Sequence, residues 1–519
     1  GTRGQGQQSV TTEKMVRSGI TVGGWTLCSR VLGLVRDVVL ANSVGASTGA
    51  DAFFVAFKIP NFLRRLFGEG AFAQAFVPVF SETREKEGEA SVKRLIDQVA
   101  GRFGLILIVI SALGVLLAPW IAMLFAPGFS NDPGKLTLTA DLLRWTFPYL
   151  GFICFVAFAG GILNSVGRFA VPAATPIFLN LSLIGSALYL APLVSPPVMG
   201  LAIGVAISGF IQLLIQIPPL MGAGLLPKPS LQADHPGVSK ILKLMGPALF
   251  GVSVSQINLL LDTVLASLLV SGSVSWLYYS DRLMELPLGV IAIAVSTVIL
   301  PKLSREFAQN DFNASHQTQS WAIWVVLVLG LPCAAVLAVF GELILSTLFQ
   351  YGEMTVSDIE AAALSLMAYS AGLPAFMMIK VLAPHYFAHQ DTKTPVKVGL
   401  IAMTSNMAFN LMLVWSLDHV GLALATSLSA WVNAVLLLSG LHRRGWYEVR
   451  SLPWKQILQV ALGLIVMVQV AWWAPSAAQL ADQTIMGRVG WTASLLILSG
   501  FLYLATLRLT GVRYTALLV

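Results

Sequence analysis

The chain has 519 residues, of which 56% are hydrophobic and only 11% are charged, and its formal net charge is +7. Soluble globular proteins carry about 25% charged residues, so this composition excludes a protein that folds in water alone. At about 20 residues for each membrane-spanning helix, the apolar fraction is enough for about fourteen spans. The composition therefore indicates an all-α polytopic membrane protein with short loops.

Apolar segments of spanning length recur along the chain between charged or Pro/Gly-rich loops. We predict fourteen spans, at residues 20–42, 48–67, 101–124, 142–163, 172–193, 198–219, 241–270, 276–299, 320–347, 359–383, 395–416, 420–441, 456–474 and 490–509. Nearly all loop Lys and Arg residues fall on the side of the N-terminus, whereas the opposite loops hold Lys135 and Arg488. The positive-inside rule therefore predicts that both termini are cytoplasmic. Because this topology explains the net charge, we expect no nucleic-acid partner.

The two halves of the chain share short motifs at a constant spacing, which indicates an internal repeat. Pro78 and Pro301 are 223 residues apart, as are Pro172 and Pro395. Each repeat holds six spans, an even number, so both enter the membrane in the same direction, as in many transporters. The predicted domains are a polar N-terminal tail (1–18), an N-lobe (19–220), a cytoplasmic linker (221–239), a C-lobe (240–442) and an additional pair of C-terminal helices (443–519). We expect part of the tail to be foreign to the natural protein, and none of it to be a signal peptide.

Several charged side chains fall inside predicted spans, where an ionised group costs several kcal/mol unless it is paired or faces a polar cavity. They are Arg30, Arg36, Lys58, Arg282 and Lys380 among the basic residues, and Asp37, Asp51, Asp262, Asp281 and Glu285 among the acidic ones. One interpretation is a set of structural ion pairs, such as Arg282 with Glu285 one helical turn away. The other is a cavity in which Arg30, Arg36, Arg64 and Arg282 bind a pyrophosphate or polycarboxylate through paired donors.

A second group of polar residues lies in the predicted C-lobe. It consists of Asp262 in span 7, Asn406 and Asn410 one turn apart in span 11, and Thr426 in span 12. Oxygen ligands of this kind suit a hard cation such as Na⁺. Hydrogen bonds between packed helices explain the Asn and Thr residues equally well.

No P-loop, HExxH motif or nucleophile elbow occurs in the sequence, so we expect a protein that is not an enzyme and has no cofactor. Five segments carry a resemblance to a known family. They are SRVLGLVRD (29–37), ADAFFVAFKIPNFLRRLFGEGAFAQAFVPVF (50–80), GPALFGVSVSQINLLLD (246–262), SWLYYSDRLMELPLGV (275–290) and QDTKTPVK (390–397). The chain resembles the MurJ (MviN) lipid II flippases of the multidrug/oligosaccharidyl-lipid/polysaccharide exporter superfamily.

The resemblance implies fourteen helices, with a C-terminal pair that forms a groove for a lipid. It implies movement of lipid II, a polyprenyl-pyrophosphate-linked disaccharide pentapeptide, from the inner to the outer leaflet of the bacterial cytoplasmic membrane for peptidoglycan synthesis. Arg30, Arg36, Arg64 and Arg282 match cavity arginines of the family, Asp51, Asp281 and Glu285 match essential acidic positions, and Glu69 falls in the GEGAF turn.

The expected partners are lipid II, membrane lipids and the cell-wall synthesis machinery, and the expected oligomeric state is a monomer. The energy source stays open between Na⁺, a proton and the membrane potential. Two alternatives also stay open: an exporter of drugs or of another polyprenyl-linked glycan, and a scaffold that transports nothing.

Overall fold

A computed structural model describes the backbone of residues 2–66 and 72–513, and the side chains of most residues from position 21 onward. Within these ranges all regular secondary structure is helical, which confirms the predicted all-α class. The chain forms two compact units, residues 1–268 (unit 1) and 269–519 (unit 2).

Unit 1 contains ten α-helices in the described residues. They are α1 (Thr2–Val44), α2 (Thr48–Arg64), α3 (Ala73–Glu87), α4 (Glu89–Leu116), α5 (Ala118–Phe125), α6 (Pro133–Thr146), α7 (Tyr149–Ser165), α8 (Ala170–Gly185), α9 (Pro197–Gly222) and α10 (Pro236–Ser267). Helix α1 packs on α8, α2 on α6, and α7 on α9. Helix α10, which the repeat assigned to the second lobe, packs within unit 1 against α3 and α5.

Unit 2 contains nine α-helices in the described residues. They are α11 (Ser273–Pro287), α12 (Ile293–Ala308), α13 (Phe312–Val339), α14 (Gly341–Phe349), α15 (Val356–Ala388), α16 (Lys393–Arg443), α17 (Trp454–Val468), α18 (Ala477–Ala481) and α19 (Ile485–Leu509). Helix α15 packs against α11, α13 and α16, and the C-terminal helices α17 and α19 pack against each other. A buried cluster that includes Phe340, Val470 and Leu495 joins this pair to the rest of unit 2.

Ten helices in the described part of the chain are long and apolar enough to cross a membrane, against the fourteen spans predicted. Helices α1, α2 and α10 correspond to predicted spans but are not among the ten. Helix α16 counts once, although its 51 residues would extend about 76 Å as a straight helix. Its backbone breaks at Asp418, where φ is 51°, between the predicted spans 395–416 and 420–441.

The predicted linker lies along α4 of its own unit. The backbone N–H of Ser230 donates to the carbonyl of Asp97 at 2.9 Å, and the Lys228 N–H donates to the Asp97 carboxylate at 2.8 Å. Gly101 permits this approach, because a Cβ there would lie 2.0 Å from the Ser230 carbonyl oxygen. The segment after α9 is therefore docked on the unit that precedes it.

Candidate substrate-binding site

Arg36 on α1 is buried and fully engaged with neighbouring side chains. Its Nε and Nη2 donate to one oxygen of Asp37 at 3.1 and 2.9 Å, and its Nη1 donates to Asn180 on α8 at 3.0 Å. The Asn180 amide in turn donates to the backbone carbonyl of Ser29 at 3.0 Å. This network joins α1 to α8 within unit 1.

Arg30 lies two turns earlier on α1 and has a different environment. It is half-buried, and it makes no hydrogen bond or ion pair with the residues that the structure describes. A half-buried guanidinium keeps its paired donors available for a phosphate or a carboxylate. The two predicted arginines of α1 thus have different geometries, one held in a network and one open.

Arg64, at the C-terminal end of α2, lines a cavity of about 650 Å³ inside unit 1. Its Nε donates to Asn61 at 3.3 Å. The other polar residues of the lining are neutral, and they include Thr175 on α8 and Gln212 and Gln216 on α9. The volume falls within the range of about 300–1,000 Å³ that is usual for small-molecule sites.

Asp51 forms a buried ion pair at the opposite end of α2. Its carboxylate lies 3.0 Å from the Lys135 ammonium in the first turn of α6, and both side chains are less than a tenth exposed. The Lys135 ammonium also lies over the Phe129 ring, 4.3 Å from its centroid. Breaking a buried pair strands a charge in a medium that cannot solvate it, so this pair has a strong structural role.

The candidate site residues Asp281, Arg282 and Glu285 of unit 2 lie on α11. Arg282 pairs with Glu285 at 3.1 Å, with side chains 31% and 47% exposed, which confirms the predicted i,i+3 pair. Asp281 precedes it and is half-buried. A partly exposed ion pair of this kind contributes about 0–1 kcal/mol to stability.

The four residues of the candidate cation site are divided between the units, with Asp262 in unit 1 and the others in unit 2. Asn406 and Asn410 are buried. Asn406 Oδ1 accepts no hydrogen bond from a described residue, and Thr426 donates its hydroxyl to the Leu422 carbonyl, which leaves its oxygen able to coordinate. The donor types therefore fit a hard cation. Among the described residues, no three His, Cys, Asp or Glu side chains form a metal-binding group.

Glu69 lies outside the described residues. The sequence analysis missed three features of the structure: the burial of Lys135, the burial of Arg488 and the pair of glutamines on α9. Lys135 and Arg488, predicted in loops, are both buried; Arg488 donates to the carbonyls of Ser346, Gln350 and Ala481 in unit 2. The pair Gln212 and Gln216 had a visible signal, two amides one turn apart in an otherwise apolar helix.

Comparison with known proteins identifies the family. Residues 40–486 match the family model described as Lipid II flippase MurJ. The chain is 47% identical to the probable lipid II flippase MurJ of Vibrio cholerae, over 97% of each chain. It is 46% identical to the probable lipid II flippase MurJ of Haemophilus influenzae, over 94% of this chain and 98% of that one.

A solved structure of similar fold gives the same result. It is a lipid II flippase MurJ in an inward closed conformation, with a TM-score of 0.79, 28% sequence identity and coverage of 94% of this chain and 98% of that one. The family consists of transporters and not of enzymes. The family model matches residues of both units, and the Vibrio cholerae relative covers 97% of the chain, so the chain belongs to the MurJ family of lipid II flippases.

Proposed function

We propose that this protein moves lipid II across the bacterial inner membrane, from the cytoplasmic to the outer leaflet, for peptidoglycan synthesis. The observation that carries the proposal is the polar cavity inside unit 1, where Arg64 lines a space of about 650 Å³ within a strongly apolar bundle. An ionised group at membrane depth is costly and is retained mainly where it faces a cavity or a partner. A guanidinium there suits an anionic head group.

The role that we propose for each arginine follows from its surroundings. Arg30 and Arg64 offer half-buried guanidinium groups in unit 1, and Arg282 offers one whose pair with Glu285 is partly exposed. These three bind the pyrophosphate, while Arg36 holds α1 and α8 in place. Asp281 and Glu285 compete for Arg282 after the cargo leaves, which helps to reset the site.

The lipid tail stays in hydrocarbon throughout, so only the head group needs a polar path. Helices α17 and α19 present exposed apolar side chains that include Leu458, Ile465, Ile497 and Phe501. This surface supports the C-terminal pair as the groove for the prenyl tail. The proposal includes fourteen spans, two six-helix lobes, cytoplasmic termini and alternating access by rocking of the lobes, the movement expected for parallel repeats. The protein acts as a monomer and supplies the cell-wall synthesis machinery.

The driving force is proposed to involve Na⁺ at Asp262, Asn406, Asn410 and Thr426, or the membrane potential acting on the charged cavity. Burial of Asn406 with an oxygen that accepts no hydrogen bond from the described residues supports the first. Transport assays with Na⁺ replaced by choline, each with and without an imposed potential, separate the two. Loss of transport only without Na⁺, reproduced by Asn406→Ala, supports the cation site; dependence on potential alone contradicts it.

The central experiment uses purified protein in lipid vesicles that contain labelled lipid II, with exposure of the label on the far leaflet as the readout. Arg30→Ala, Arg64→Ala and Arg282→Ala should each lower the rate of translocation by about tenfold or more, since each removes a charge-assisted contact. Arg305→Ala changes an exposed arginine on α12 and is the matched control. Normal translocation by the three variants would contradict the arginine site, and transport of a cationic drug instead of lipid II would contradict the substrate.

A further inference from the structure

Two buried glutamines of unit 1 have side-chain oxygens that could accept hydrogen bonds from a ligand. Gln212 and Gln216 are 1% and 0% exposed, and they lie one turn apart on α9. Their Oε1 atoms accept no hydrogen bond from any residue in the described ranges. Buried polar atoms are nearly always satisfied, because an unsatisfied one costs stability. Both side chains line the 650 Å³ cavity, so a molecule in that cavity could satisfy them.

The orientation of the two amides is determined by Thr175. Gln212 Nε2 donates to the Thr175 carbonyl at 3.1 Å, and Gln216 Nε2 donates to the Thr175 hydroxyl at 2.6 Å. That hydroxyl already donates to the carbonyl of Val171, so it can only accept from Gln216. Exchanging the amide oxygen and nitrogen would place acceptors against acceptors. The oxygens, and not the NH₂ groups, are therefore the atoms left for a ligand.

The lining specifies the chemistry of that ligand. Two amide oxygens require hydrogen-bond donors, such as hydroxyl or amide N–H groups. A cation could also bind to them, but Arg64 lines the same cavity and repels it. The same arginine favours an anionic group next to the donors. Pro172, Pro176 and Leu179 supply an apolar wall, which suits the C–H face of a sugar ring.

We propose that this cavity binds the sugar attached to the pyrophosphate of the lipid head group. Gln212 and Gln216 accept hydrogen bonds from its hydroxyl and amide N–H groups, while Arg64 binds the neighbouring phosphate. The inference rests on the proposed function and adds the determinant by which a glycosylated lipid is distinguished from a bare polyprenyl pyrophosphate. The sugar is assigned here, and not the peptide, because it is the donor-rich group bonded directly to the phosphate.

The test compares two ligands on purified protein in detergent: lipid II, and a polyprenyl pyrophosphate of the same chain length without sugars. Gln212→Met and Gln216→Met keep the side-chain length and remove the acceptor. Each should weaken binding of lipid II by about tenfold, the equivalent of about 1.4 kcal/mol, and leave the affinity for the sugar-free lipid unchanged. Arg64→Ala should weaken both ligands. Ser208→Ala is the matched control, since Ser208 is buried on α9 and donates to its own helix.

The outcomes separate this inference from the proposed function. If the wild-type protein does not bind lipid II, both proposals fail. If Arg64→Ala weakens binding of both ligands while Gln212→Met and Gln216→Met bind them normally, only the sugar site fails. Equal weakening of both ligands by the Gln variants also overturns it. Should these variants unfold, Val77→Cys on the cavity wall, in a background with Cys28→Ser and Cys333→Ser, answers the question. Lipid II should protect Cys at 77 from a maleimide at lower concentration than the sugar-free lipid does, and equal protection contradicts the sugar site.

Discussion

The two units use different chemistry at corresponding positions. Asp51 is the fourth residue after the N-cap of α2, and Trp276 is the fourth after the N-cap of α11. Their partners, Lys135 and Asp358, are each the third residue after the N-caps of α6 and α15. In unit 1 the contact is a buried ion pair at 3.0 Å. In unit 2 the Trp276 indole N–H donates to the Asp358 carboxylate at 3.0 Å.

The difference shows how one helix contact can be made with or without a buried charge pair. Lys135 and Asp51 are almost completely buried, so loss of either side chain leaves the other charge buried without its ion-pair partner. Asp358 is half-buried and also takes part in the capping box of α15, where its carboxylate accepts from the Thr355 N–H. Breaking the contact in unit 2 should therefore cost less free energy of unfolding than breaking the ion pair in unit 1. Four predictions test or refine this contrast, in order of decreasing effect.

Lys135→Met should be the most damaging change, because it leaves the Asp51 carboxylate buried without its ammonium. Loss of one partner of a buried pair costs about 3–5 kcal/mol of unfolding free energy. The measurement is the melting temperature of the purified protein in detergent, together with the yield of monodisperse protein.

The double variant Asp51→Asn with Lys135→Met removes both charges and serves as the control. It should recover most of the stability, because neutral residues of similar volume can replace a buried pair at little cost. Equal instability of the single and double variants would show that shape, and not charge, holds α2 to α6.

Arg36→Lys and Arg282→Lys extend the contrast to the candidate site. Arg36 donates to both Asp37 and Asn180, and a lysine cannot reproduce that fork, so we expect a loss of about 1.5–3 kcal/mol from hydrogen bonds to charged groups. Arg282→Lys should change the melting temperature little, since its pair is partly exposed, but should weaken lipid II binding. Equal stability of both variants would contradict the structural role of Arg36.

Trp276→Phe removes the hydrogen bond of unit 2 and keeps most of the aromatic surface. We expect a loss of about 1 kcal/mol, well below that of Lys135→Met, in the same melting assay. Asp358→Ala should cost somewhat more, because it also removes the carboxylate half of the capping box of α15. If Trp276→Phe matched Lys135→Met, the contrast between the units would be wrong.

The smallest expected effect is on the contact between the docked linker and α4, and the stability of this contact should depend on pH. His235 accepts the Gly237 N–H at Nδ1 and contacts Ser91 at Nε2. Burial lowers the pKa of His235 below its usual 6.5; Glu87 and Asp234 oppose this shift, and Arg94 adds to it. A lowered pKa means that the linker contact is fully present above about pH 6.5 and weakens as the pH falls through the folded value.

Hydrogen exchange of residues 228–237 at pH 7.5 and pH 5.5 measures this effect. Exchange should be faster at pH 5.5 after correction for the intrinsic rate, by a small factor. His235→Asn keeps an N-cap acceptor that does not titrate and should abolish the difference.

Part of the candidate site followed from the sequence because charges at membrane depth are rare and conspicuous. Arg30 and Arg282 were identified in this way, as was the pair of Arg282 with Glu285, whereas Arg64 was added from its place at the end of a predicted span. The same reasoning could not separate Arg30 from Arg36, since one helical face does not reveal that Asn180 of α8 lies opposite Arg36. It also missed the two cavity glutamines, because neutral amides within a span are usually explained by hydrogen bonds between packed helices.

The sequence by itself determined that the protein folds in a membrane, that it is helical and to which family it belongs. All three conclusions depend on composition and local motifs, which can be read without a structure. It also indicated the break in α16 at Asp418. Only the tertiary structure showed which charged side chains are paired with neighbouring residues in the packed interior. Lys135 appeared to be a loop cation and is the buried partner of a carboxylate 84 residues away. Pairing of this kind depends on which helices meet, and that is settled by the packing of whole faces and not by any local pattern.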